Sequence, residues 1–164
     1  MADGGGMMAI RRIVQYPDPV LKKKARTVTK FHARLHKLLD DMAETMYDAP
    51  GVGLAAPQVG ILKRAIVIDI GEGLIEMVNP EIVEKSGEQI IQSEGCLSIP
   101  DLLSDVRRAE KVKVKGQDRH GNPIEMEAEG YLARAFQHEI DHLNGVLMID
   151  VAERTYRKEE VEKA

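Results

Sequence analysis

Apolar residues at Phe31, Leu35, Leu38, Leu39, Met42 and Met46 recur at intervals of three and four. That period predicts an amphipathic helix of roughly five turns, starting near Thr29 and stopping before Pro50-Gly51. Its methionines read as core filling. Beyond it the pattern becomes that of short strands: Arg64–Asp69, Ile75–Asn79, Ile82–Lys85, Gln89–Gln92 and Lys111–Gln117. After the last of these, the turn Arg119-His120-Gly121-Asn122 sends the chain back along Pro123–Ala128. A second strong helix is predicted from about Leu132 to Asn144. Leu132, Phe136, Ile140 and Leu143 form its apolar stripe and Gly145 its C′ residue. Strands that succeed one another through turns, with no helices between them, imply antiparallel pairing. The predicted class is α+β, with antiparallel sheets packed around a central helix and the N-terminal-half helix on the outside.

The length of 164 residues fits one domain, large enough to bury a core without disulfides or an architectural metal. Residues 10–164 are read as that domain. Residues 1–9 are read as a flexible leader, because they lack the basic and apolar regions of a secretory signal. The charged tail Val151–Ala164 is expected to add a helical turn or two. A net charge of −4, from 23 basic and 27 acidic residues, gives no basic footprint for sequence-specific nucleic-acid binding. No apolar run approaches the ~18 residues of a membrane span. The single cysteine, Cys96, excludes an internal disulfide and suits a reducing cytosol.

The predicted second helix carries His138-Glu139-Ile140-Asp141-His142. Two histidines four apart on a helix project from one face, about 5–6 Å apart at Cβ, near enough to share one ion. Glu139 lies roughly 100° round from His138, badly placed to be a third ligand and well placed to hold a water beside the ion. The competing reading is a pair of ordinary surface histidines. His32, His36 and His120 fall on a surface helix or in a turn and read as solvated. A catalytic site of this kind needs a third protein ligand and one open position. Cys96, between Gly95 and the stiffening Pro100, is the candidate, although a lone cysteine is often an inert buried residue. Gly51–Gly60 formally matches the dinucleotide fingerprint GxGxxA, but it follows a helix instead of a strand and is cut by Pro57. It reads better as a glycine-rich backbone ledge for an extended chain, with Gln58 offering amide donors.

Together, Gly51–Gln58, Glu94–Ser98 and His138–His142 resemble the three motifs of the peptide deformylases. The likeness extends through Ile13–Ala25, Arg108–Val112 and Tyr131–Leu147, and Glu94-Gly95-Cys96-Leu97-Ser98 looks like the bacterial-type form of the second motif. The resemblance implies a hydrolase that removes the formyl group from the N-terminal formyl-methionine of newly made polypeptides, releasing formate. It implies that Cys96, His138 and His142 hold one divalent metal, Fe2+ before Zn2+, Ni2+ or Co2+, and that Glu139 is the acid/base. Gln58 and the backbone amide of Leu97 correspond to oxyanion donors. Val52, Gly53 and Gly95 correspond to the peptide-binding backbone, and Glu94 with Arg108 to a bracing charged pair. On the helix face of His138, Tyr131, Arg134 and Ala135 are candidates for the methionine pocket, with Ala135 and the stem of Arg134 lining an apolar slot. A cytoplasmic monomer meeting nascent chains near the ribosome exit is the corresponding expectation, with no membrane partner. Departures from the family pattern fall at Asp101–Asp105 and in the short tail. Two rival readings stay open at this stage, a general zinc peptidase and a closed structural or sensing site.

Overall fold

The computed structural model describes residues 9–162. Helix α1 spans Ala33–Asp48, α2 Gly130–Leu143, α3 Met148–Val151 and α4 Lys158–Glu162. The strands are β1 Gly53–Ala55, β2 Ala65–Ile68, β3 Ile75–Ser86, β4 Gln89–Glu94, β5 Leu102–Arg108, β6 Lys111–Gln117, β7 Pro123–Glu129 and β8 Ala152–Arg157. They form a five-stranded sheet in the order β1-β2-β3-β6-β7 and a three-stranded sheet in the order β4-β5-β8. Every ladder between them is antiparallel, as the strand pattern predicted.

The five-stranded sheet lies between the two long helices, and β2 shows why its sequence reads as one apolar run. Successive side chains of a strand point to opposite faces. Ile66 and Ile68 pack with Phe136, Ile140 and Leu143 of α2, while Ala65 and Val67 pack with Leu35, Leu39, Met42 and Met46 of α1. Each large apolar side chain so enclosed stabilises the fold by roughly 1.5–3 kcal/mol over leaving it exposed. Helix α2 is therefore central and α1 peripheral. After α2, Gly145 adopts the left-handed conformation (φ +73°), and a Cβ there would overlap the backbone of Lys22. The chain thus turns sharply against its own N-terminal segment, and α2 ends where the sequence predicted.

Four expectations are corrected. Helix α1 begins at Ala33 instead of Thr29. Ile75–Asn79 and Ile82–Lys85 are one strand, bent at Asn79, whose left-handed backbone (φ +53°) is held by side-chain bonds to both Val28 N and Val28 O. The tail ends in the expected helical turn, α4, but a strand, β8, precedes it, because the ladder to β5 satisfies its backbone without an apolar face. His36 is half-buried, its Nε2 2.8 Å from the Arg119 carbonyl oxygen, so it is not simply solvated. Of the expected leader, residues 1–8 lie outside the described residues, whereas Ala9 donates from its amide to Asp41 Oδ1 at 2.8 Å.

Candidate metal centre

Helix α2 is amphipathic in an unusual sense, because its buried faces carry chemistry as well as apolar packing. Arg134, Gln137, His138, Glu139 and His142 are all buried alongside Phe136, Ile140 and Leu143. The i, i+4 spacing sets His138 Nε2 3.2 Å from His142 Nε2. The loop after β4 brings Cys96 Sγ to 3.4 Å from His142 Nε2. The three donor atoms lie within 4.8 Å of one another, and no other such group of His, Cys, Asp or Glu occurs among the described residues. Two imidazoles and a thiol form a soft, compact set that suits iron, zinc, nickel or cobalt better than magnesium or calcium.

A second layer fixes these donors. His138 Nδ1 lies 2.5 Å from Glu94 Oε1, which orients the ring so that Nε2 faces the cluster. Arg108 donates to both oxygens of Glu94, at 2.6 and 3.0 Å, and to Asp141 at 3.1 Å. Burial works against ionisation of Glu94, but the bonds from His138 and Arg108 outweigh it and hold the carboxyl far below its ordinary range. Burial likewise disfavours a charged His138, yet its contacts with Cys96 and Glu94 push it up to about 10. In His142, burial and the neighbouring His138 act together and lower it well below the ordinary value. A cation competes with protons for these donors, so loading is coupled to pH.

Gln58 is oriented by accepting from the Ala55 amide at 3.0 Å through Oε1, which turns Nε2 toward Ser98 Oγ at 3.1 Å and Cys96 Sγ at 3.7 Å. Glu139 is 4 % exposed and its Oε1 has no hydrogen-bond partner. Burial raises its carboxyl to about 7, against the opposing pull of His138 and Arg134. The other side of that carboxylate rests on Gly53, where a Cβ would overlap Oε2 and stand 2.9 Å from Cδ. Glycine leaves room here for the Glu139 carboxylate, which a side chain at this position would push aside. Gly53→Ala is expected to keep the metal and to lower turnover by about 10²-fold through displacement of Glu139. Turnover near the parental value with unchanged metal content would show that Gly53 does not position the carboxylate.

A cavity of about 660 Å³ opens on this cluster and is lined by every expected site residue except the buried His142. Val52 and Gly53 line it from β1 and the loop before it, Gly95 and Leu97 from the loop after β4, and Tyr131, Arg134 and Ala135 from α2. Strand β1 is an edge of its sheet and β4 an edge of the other. Sequence reasoning had missed three supports. Asp141 shares Arg108 with Glu94. Ser98 accepts from Gln58. Ser93, with a left-handed backbone (φ +57°), donates from N to Asp105 and pairs through Oγ with Tyr156 OH at 2.8 Å.

The polypeptide deformylase family model matches residues 10–158. A peptide deformylase of Caldicellulosiruptor bescii is 57 % identical over 156 residues, covering 95 % of this chain and 93 % of that protein. The crystal structure of peptide deformylase from Thermotoga maritima is 49 % identical with a TM-score of 0.86, covering 88 % of this chain and 99 % of that one. A peptide deformylase from Synechococcus elongatus, solved in complex with actinonin, is 39 % identical with a TM-score of 0.85, covering 99 % and 91 %.

Proposed function

The chain belongs to the peptide deformylase family, and from that premise we propose which of its residues carry the reaction. The enzyme is a metal-dependent hydrolase that removes the N-formyl group from newly synthesised peptides. In our reading Cys96, His138 and His142 hold one divalent ion, Fe2+ in the native enzyme, with Zn2+, Ni2+ or Co2+ as substitutes. The observation that carries this reading is the convergence of the three donors within 4.8 Å beside the buried, unpartnered Glu139 Oε1. When bound, the ion supplies Lewis acidity toward water and toward the formyl oxygen.

The chain's own groups account for the remaining steps. Glu139 takes the proton of the attacking water at Oε1 and later delivers it to the departing amine nitrogen, which leaves as a free N-terminus while the formyl carbon leaves as formate. Gln58 Nε2, held toward the cavity by the Ala55 amide, donates to the developing oxyanion together with the backbone N–H of Leu97. The peptide lies along Val52, Gly53 and Gly95 as an added strand, drawing on the free edges of β1 and β4. Its methionine side chain enters beside Tyr131, Arg134 and Ala135. We infer one domain over residues 10–164 that acts as a monomer, and a cytoplasmic site of action near the ribosome exit, which suits a substrate made only where translation initiates with formyl-methionine. No helix among the described residues is long and apolar enough to cross a membrane.

Incubating the metal-loaded enzyme with formyl-Met-Ala and with the unblocked peptide tests the reading. Formate release from the first and no cleavage of the second is expected; peptide-bond cleavage would restore the peptidase alternative. Two further outcomes are expected. Ala135 is 2 % exposed and lines the cavity, so Ala135→Trp should fill the slot and raise KM for formyl-methionyl peptides while altering the preference for methionine. An unchanged preference would remove Ala135 from the pocket. With iron(II), activity should decay in air faster than with nickel or zinc, because a thiolate beside a redox-active ion is oxidisable. Equal decay for all three ions would contradict that assignment.

A further inference from the structure

We propose that Arg134 reads the sulfur of the substrate's N-terminal methionine, donating to the thioether and favouring it over an alkyl chain of the same shape. The proposal rests on the deformylase reading above. Arg134 is 7 % exposed and lines the cavity beside Glu139 and Ala135. Its Nε is buried without a hydrogen-bond partner, although it stands 3.5 Å from Glu94 Oε2. Glu94 has little left to offer: Arg108 and His138 already bond to Oε1, and Arg108 also bonds to Oε2. Arg134 is thus held by charge and by the ring of Tyr131, whose centroid is 5.0 Å from the guanidinium carbon. No hydrogen bond ties its guanidinium to a described residue.

A guanidinium has five donors in a fixed fork, and enclosing it without an acceptor is costly. When a substrate side chain displaces the water of the cavity, these donors gain a partner only if the substrate brings one. Charge decides what kind. Around Arg134 the carboxylates of Glu94, Glu139 and Asp141 offset the guanidinia of Arg108 and Arg134 and the imidazole of His138, so no surplus cation awaits an anionic side chain. The matching ligand is a neutral, polarisable, weak acceptor on a flexible stem, which describes a methionine thioether. An apolar slot alone would prefer the alkyl chain, whose methylene is the less hydrated group. A preference for sulfur is therefore the mark of the guanidinium.

The test compares kcat/KM for formyl-Met-Ala with that for formyl-norleucine-Ala, in which a methylene replaces sulfur. The parent enzyme is expected to favour methionine by roughly two- to tenfold, the range that one weak hydrogen bond supplies. Arg134→Leu should bring the ratio to one or below, since the slot is then apolar alone. A parental ratio near one, or a ratio that survives in Arg134→Leu, would overturn the proposal. Should the leucine variant not fold, Arg134→Lys keeps the charge toward Glu94 but loses the planar fork, and a lowered ratio is again expected. An unchanged ratio in the folded lysine variant would equally overturn it. Failure of the deformylase reading has a different signature, no formate from either peptide.

Discussion

Glu139→Gln is expected to lower kcat/KM for a formyl-methionyl peptide by roughly 10³-fold while leaving the bound metal in place. Glutamine matches the shape of glutamate and fits against Gly53, but it cannot accept the proton of the attacking water. The unpartnered Oε1 of Glu139 makes no bond whose loss would disturb the fold. Since Glu139 is outside the ligand set of Cys96, His138 and His142, metal content should not change. The pH profile offers a second reading. Burial raises the Glu139 carboxyl to about 7, with His138 and Arg134 pulling the other way, and a bound cation adds to that pull. The base form therefore appears as pH rises toward or through neutrality from below. The parental rate should climb along that limb, and the glutamine variant should lack it. A variant as fast as the parent, or one that loses its metal, would assign Glu139 a different role.

Arg108→Met is expected to destabilise the protein by about 3–5 kcal/mol, which for a chain of this size corresponds to a melting-temperature drop of ~6–20 °C. The side chains of Glu94 and Arg108 are 0 % and 4 % exposed, so removing the guanidinium takes two charge-assisted bonds from a buried carboxylate and leaves it only His138 and the more distant Arg134. Breaking a buried pair costs more than the pair itself contributes, because the remaining charge is left short of partners away from water. The double variant Glu94→Gln with Arg108→Met should accordingly recover part of the loss. The sign of the pH dependence follows from Glu94. Its folded-state value lies below the ordinary 4.5, so the pair's contribution is fully present above that value and fades as pH falls through the depressed one. The gap between parent and Arg108→Met should be widest near neutrality and narrow in acid. A gap independent of pH, measured by thermal unfolding of metal-free proteins, would mean that packing and not charge makes Arg108 important.

How far the sequence carried the reading differs from element to element. Helix α2 was legible in both extent and chemistry, because its apolar stripe and its histidine spacing share one period and Gly145 marks its end. The ligand set was half legible. The two histidines are local in sequence, but Cys96 lies 46 residues from His142, and only motif resemblance connected them. Strand β5 escaped notice because its buried face carries Ser104, Val106 and Arg108, two of them polar and satisfied by partners in β8, β4 and α2. Strand β8 looked like a charged tail. Its backbone ladder to β5 holds it, and Tyr156 OH reaches both Asp105 and Ser93 where β4 bulges before Glu94. The surroundings of the Arg134 guanidinium were not legible for a related reason. Spacing placed its stem on the right face, but the lack of an acceptor for its donors is a property of three-dimensional neighbours.

The central claim is that Cys96, His138 and His142 hold one ion, and X-ray absorption at the zinc edge of the zinc-loaded protein tests it most directly. One sulfur at ~2.3 Å together with imidazole nitrogens at ~2.0–2.1 Å is expected. A spectrum fitted by nitrogen and oxygen alone, with no sulfur shell, would contradict it.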